Sequence, residues 1–121
     1  MREIKFEYIV IGRCGNVIKE MFPLHDIQRG YAQKWLQVNT VRGEIHKRQY
    51  TGLKDTYDVE IYEGDILQCC EDGLKWVARF VNGSFVACNP DDYLDFVMLD
   101  DYRFLVIGNK YESPELLEQL R

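Results

Sequence analysis

The sequence predicts a mainly β fold in a single domain. Three observations carry this. Several stretches alternate apolar and polar residues with a period of two, the mark of half-buried strands. Asn82-Gly83 stands between two such stretches, and both residues tolerate the positive φ angles of a type I′ hairpin turn. Turn residues also recur at short intervals, at Cys14-Gly15-Asn16, Arg42-Gly43, Glu71-Asp72-Gly73 and Asn89-Pro90-Asp91-Asp92.

Taken in order, Ile4, Phe6, Tyr8 and Val10 alternate with Glu3, Lys5 and Glu7, a half-buried strand. Val17–Met21 returns as a second. Pro23 breaks the pattern, His25–Tyr31 suits a helical turn, and Gly30 limits its length. Lys34–Val41 reads as extended chain anchored by Trp35 and Leu36. Asp65–Cys70 is a strand. Leu74–Val81 is another, with Leu74, Trp76, Ala78 and Phe80 on one face. The Asn82-Gly83 turn sets Val81 opposite Ser84, Phe80 opposite Phe85 and Ala78 opposite Ala87. Tyr93–Leu99 and Arg103–Ile107 are further strands. Ser113-Pro114-Glu115 opens a short helix, with Ser as N-cap, Pro at the first helical position and an acid near the positive dipole end. Its apolar stripe is Leu116, Leu117 and Leu120, and its shortness requires it to dock on something.

The chain of 121 residues suits one domain, and its 46% hydrophobic and 29% charged residues suit a packed globule. A net charge of −5 disfavours nonspecific attraction to nucleic acid or an anionic membrane. Residues 1–60 hold ten Lys/Arg against eight Asp/Glu, and residues 61–121 hold five against twelve. Such halves are able to meet each other, or a second copy, in complementary fashion. No apolar run reaches the ~20 residues of a membrane helix. The N-terminus lacks a signal-peptide pattern. Cys14, Cys69, Cys70 and Cys88 show no framework spacing of a secreted protein. A cytoplasmic protein without membrane contact is expected.

The residues that carry chemistry elsewhere form no strong constellation here. Vicinal Cys69 and Cys70 point to opposite faces of a strand, and His25 and His46 stand alone. That is not the spacing of a zinc site. Glu71 and Asp72 beside the cysteines disfavour a thiolate. Asp91, Asp92, Asp95, Asp100 and Asp101 are the acids that a metal-dependent enzyme would use to hold Mg²⁺, although a solvated acidic face explains them as well. No phosphate-cradling loop or nucleophile elbow is present. The basic residues Arg42, His46, Lys47, Arg48 and Lys54, interleaved with Tyr50 and Tyr57 across residues 42–57, have the composition of a single-strand nucleic-acid groove. Lys and Arg also guard exposed strand edges. No catalytic residue, metal or cofactor is assigned.

Met1–Phe6, Arg48–Asp55 (RQYTGLKD), Glu60–Leu67 (EIYEGDIL) and Val106–Leu117 (VIGNKYESPELL) together resemble the YopX family of phage and prophage proteins. The chain departs from that pattern at Glu7–Val10 and at Thr56–Val59, where a reshaped loop tip is expected. The resemblance implies a small, mainly β protein of SH3-like barrel character in a bacterial host. It implies self-assembly, and it supplies no activity or catalytic residues. The resulting expectation is a partly open SH3-like barrel in residues 46–121, ending in the short helix, with an N-terminal β segment in residues 1–45. The expected function is a non-catalytic binding module of the bacterial cytoplasm, working as a homo-oligomer and with a host or phage protein as possible partner. Nucleic acid through residues 42–57, or metal-dependent catalysis through acids 91–101, are the alternatives. Within the segment His46–Ile66, turn-making explains most residues. Arg48, Gln49, Tyr50, Lys54 and Tyr62 remain as candidate contact residues.

Overall fold

The computed structural model describes residues 3–39 and 43–118. It divides into two compact units, Met1–Tyr50 and Thr51–Arg121. The fold is mainly β, in two antiparallel sheets.

The first unit is built on β1 (Lys5–Gly12), which pairs on one side with β2 (Val17–Pro23) and on the other with β3 (Gly43–Lys54). The turn at Cys14-Gly15-Asn16 lies where the sequence puts it. Strand β1 is central, so Tyr8, Ile9 and Val10 are buried one after another and its alternation is blurred. Burial pushes the Tyr8 hydroxyl pKa up. Helix α1 (Leu24–Gln28) follows Pro23 and ends before Gly30, as the sequence predicts.

The part of Lys34–Val41 that the structure describes, residues 34–39, is helical and not extended. Helix α2 spans Tyr31–Asn39. Trp35 and Val38 favour strands by intrinsic preference, but packing overrides that weak bias. Ala32, Trp35, Leu36 and Asn39 recur at helical spacing, and they are the buried or half-buried positions of the helix. Trp35 meets Phe22 edge-on at 6.0 Å, and Phe22 meets Tyr8 at 5.6 Å. The Asn39 amide donates to the Trp35 carbonyl at 2.8 Å, satisfying an acceptor that the helix end leaves open. Arg42, with Thr40 and Val41, lies outside the described residues; Gly43 opens β3.

In the second unit the end of β3 pairs with β4 (Glu60–Tyr62). The buried Thr51 hydroxyl fastens them by donating to the Ile61 carbonyl at 2.7 Å. Gly52, in the segment His46–Ile66 that the sequence assigns mostly to turn-making, lies inside β3 with φ 87°. The other strands are β5 (Asp65–Cys69), β6 (Lys75–Val81), β7 (Ser84–Asn89), β8 (Asp92–Met98) and β9 (Phe104–Asn109), arranged β8-β7-β6-β5-β9.

The β6–β7 register is the predicted one, with Val81 opposite Ser84, Phe80 opposite Phe85 and Ala78 opposite Ala87. Asn82 and Gly83 have φ of 49° and 86°, as the turn type demands. Phe80 and Phe85 pack edge-to-face at 4.8 Å. Only Phe85 is buried, because Phe80 sits at the hairpin tip, beyond the core. That core joins Ile61, Leu67, Cys69, Ala78, Phe85, Ala87, Leu99 and Phe104, with Trp76, Val97 and Val106 against it.

The five-stranded sheet does not close into a barrel, since β8 and β9 remain its two ends. One end is partly covered. The segment following β3 lies along β9, where Thr56 N–H donates to the Phe104 carbonyl at 3.1 Å and Val106 N–H donates to Asp55 Oδ2 at 2.9 Å. Helix α3 (Glu115–Glu118) is held on this unit by Lys75, whose ammonium donates to the Leu116 carbonyl at 3.1 Å. Leu120 lies outside the described residues.

Gly64 is the tightest joint of the unit. Its N–H donates to the Ala78 carbonyl at 2.8 Å, and its carbonyl accepts from Lys110 N–H at 2.9 Å. Its φ is 87°, and a Cβ there would lie 2.8 Å from Cε2 of Tyr111. The neighbouring Asp65, 2% exposed, accepts from Tyr62 N–H at 2.7 Å. Gly64→Ala is expected to cost about 1–3 kcal/mol from the strained backbone, with the Tyr111 ring displaced in addition. Urea unfolding checks this, and an unchanged midpoint would remove the argument.

Candidate binding cleft

The second unit contains a cleft of about 380 Å³. Leu53, Ile61, Leu99 and Phe104 give it an apolar floor. Lys54, Thr56, Asp100, Tyr102 and Arg103 stand around its rim. Its shape originates with Asp55. Oδ1 of Asp55 accepts from Tyr57 N–H at 2.8 Å and from Val59 N–H at 2.9 Å, closing the loop 55–59 on itself. Oδ2 accepts from Val106 N–H and ties that loop to β9. Asp58 takes a positive φ of 69° at the loop tip. The opposite wall is fixed by Cys70 N–H, which donates to the Arg103 carbonyl at 2.8 Å.

The two rim cations have partners. Arg103 Nε lies 3.2 Å from Glu71 Oε1, and Lys54 Nζ lies 3.7 Å from Asp58 Oδ1. The Cys69 thiol donates to the other oxygen of Glu71 at 3.2 Å. That bond, and after it Arg103, holds the Glu71 carboxyl pKa below its ordinary value, so Glu71 stays ionised beside Arg103. Burial pushes the Cys69 and Cys88 thiols up, away from the reactive thiolate. A cleft with an apolar floor, paired cations at its mouth and a backbone-locked wall is suited to holding a side chain of a partner in a fixed orientation.

Of the five candidate contact residues, the structure brings only Lys54 to this cleft. Arg48 and Tyr50 are each 6% exposed, and Tyr62 is 7% exposed. Arg48 faces Glu7, the Tyr50 ring lies 4.8 Å from Lys5 Nζ, and the Tyr62 hydroxyl donates to Glu60 at 3.3 Å. Gln49 is half-buried in β3. The basic segment is similarly engaged: Lys47 lies over the Phe6 ring at 5.0 Å, and His46 lies 3.1 Å from Glu44. Tyr57 is exposed. Among the acids, Asp92 accepts from Leu94 N–H and Asp95 from the Asn89 amide. Among the described residues, no group of three or more His, Cys, Asp or Glu is placed to hold a metal ion.

Sequence reasoning missed Asp55 and Arg103. Asp55 carried a usable signal, because an Asp that begins a short polar loop commonly accepts from the backbone two residues on. Leu99, Arg103 and Phe104 reach the cleft only through the tertiary fold.

The two antiparallel sheets define a mainly β protein, and the same fold is seen in the crystal structure of protein EF1440 from Enterococcus faecalis. That structure matches with a TM-score of 0.54 and 22% sequence identity, over 97% of this chain and 99% of that one. The chain belongs to the YopX family: the family described as YopX protein matches residues 16–118. No curated protein matches the chain. No described helix is long and apolar enough to cross a membrane.

Proposed function

We propose that this YopX-family chain is a non-catalytic binding module whose cleft at Lys54, Thr56 and Leu99–Phe104 receives an apolar side chain of a protein partner. The observation that supports this is the union of a core-derived apolar floor with a rim locked by Asp55. The floor offers desolvation and the rim offers orientation, which is the division of labour in a recognition pocket. In this reading the second unit corresponds to the partly open SH3-like barrel that the family resemblance implies. The same reading places the protein in the cytoplasm of a bacterial host, encoded by a phage or prophage, and makes it a homo-oligomer.

Peptides selected from a random library on the wild-type chain test the cleft. They are expected to bind Leu53→Glu or Arg103→Glu variants about tenfold more weakly or worse, and to shift the amide resonances of Thr56 and residues 99–104. Peptides that bind the variants equally well would refute the site. Light scattering coupled to size exclusion tests the assembly, and a monomer at all concentrations would refute that part.

A further inference from the structure

Strand β8 ends the five-stranded sheet, and no strand lies beyond it among the described residues. An edge strand presents backbone donors and acceptors that template another strand. Two of these groups on β8 are closed locally. Leu94 N–H donates to Asp92 Oδ1 at 3.0 Å, and the Met98 carbonyl accepts from Asp101 N–H at 3.1 Å. Those bonds frame a short edge centred on Phe96.

The side chains of this edge are unusual for one left in water. Leu94, Phe96 and Met98 occupy alternate positions, hence one face, and they are 89%, 40% and 40% exposed. Across the strand pair, Phe96 stands opposite Cys88 and Met98 opposite Val86, both fully covered. An apolar row that is buried on β7 therefore runs out into solvent on β8. Trp76 of β6, Asn89 of β7 and Asp95 of β8 come together at the end of the sheet nearest the β7–β8 turn. With Leu74, Lys75, Pro90 and Asp91, these line a hollow of about 190 Å³. Lys75 is turned to the Leu116 carbonyl.

Charge selects the occupant. Between Arg79 and Arg103 the chain has no Lys or Arg and five Asp, namely Asp91, Asp92, Asp95, Asp100 and Asp101. They bracket β8 at both ends and, at Asp95, interrupt it. Two copies of β8 laid side by side would bring these acids together, and like charges directly opposite destabilise a strand pair. A cationic strand meets the opposite condition, since its charges complement the edge.

We propose that β8 binds an extended segment of another protein by strand addition, the segment carrying Lys or Arg at alternate positions with apolar residues between them. Its apolar side chains extend the row of Leu94, Phe96 and Met98. Its cations lie on the opposite face, beside Asp95. This surface is separate from the cleft at Lys54.

The test uses two synthetic peptides of about ten residues, long enough for one strand, one alternating Lys with Val and the other alternating Glu with Val. Fluorescence anisotropy with the full chain is expected to show binding of the Lys peptide alone, weakening as salt is raised. The Asp91→Asn, Asp92→Asn, Asp95→Asn triple variant keeps the local Asp92 cap and is expected to bind about tenfold more weakly. Leu53→Glu is expected to bind the Lys peptide unchanged, which separates this surface from the cleft. Hydrogen exchange is expected to show the peptide slowing amides within Asp92–Met98. Equal binding of the Glu peptide, undiminished binding by the triple variant, or protection confined to other strands would overturn the proposal. Amides of β8 that become protected with rising concentration of the chain alone would also overturn it, by assigning the edge to a second copy.

Discussion

Arg48→Ala is expected to lower the stability of the first unit by about 3–5 kcal/mol, the cost of breaking a buried ion pair by removing one partner. The pair is set by sheet register: Glu7 of β1 stands directly opposite Arg48 of β3. Nε and Nη2 of Arg48 converge on Glu7 Oε1 at 2.9 and 2.7 Å. The side chains are 6% and 18% exposed, so water scarcely reaches the bond. Alanine leaves the Glu7 carboxylate desolvated and without its cation. Replacing both partners, as in Glu7→Leu with Arg48→Met, removes the stranded charge and is expected to restore most of the loss. Each unit contains one tryptophan, Trp35 or Trp76. Urea unfolding followed by Trp35 fluorescence, in a Trp76→Phe background, therefore reports on the first unit. If the double variant were as unstable as Arg48→Ala, the packing of the Arg stem would be the cause and the ion-pair argument would fall.

Leu67→Ala is expected to destabilise the second unit by about 2–5 kcal/mol. Leu67 is 0% exposed in the core cluster, opposite Trp76 on β6 and Val106 on β9. It joins both neighbours of β5, so its loss opens a void that neither strand can fill without giving up ladder bonds. Trp76 packs against the cluster, and its fluorescence in a Trp35→Phe background follows the transition. Leu94→Ala serves as the contrast: at 89% exposure it is expected to change stability by no more than about 0.5 kcal/mol. Equal effects at the two leucines would contradict the assignment of the core.

The second unit was legible where local chemistry decides structure. Asn82-Gly83 fixes a turn, the turn fixes a register, and the register carries Phe85 and Ala87 into the core. The short terminal helix and the turn at Glu71-Asp72-Gly73 follow from the same kind of signal. Helix α2 was not legible, because Trp35 and Val38 suit either structure and the decision rests on Phe22, a residue distant in sequence. An incompletely closed sheet was expected, but which strands form its margins, β8 and β9, was hidden, since only the tertiary fold selects them. The cleft was legible at one residue, Lys54. The rest of its lining comes from Leu53 on β3, the loop after it, β4, the turn between β8 and β9, and Phe104 at the start of β9, and no spacing in the chain announces that meeting. Arg48 was visible as a residue unneeded by any turn, yet its partner Glu7 is named only by the pairing of β1 with β3.

Strand β3 passes through the boundary between the units without a break, from Gly43 to Lys54. A protease needs several residues of pliable backbone, and a strand already committed to its neighbours does not yield them. Limited digestion is therefore expected to nick exposed turns such as 13–15 or 71–73 and to spare the Tyr50–Thr51 bond. Fragments intended to represent each half should not be cut there, since that scissor-cut would fray both pieces at once.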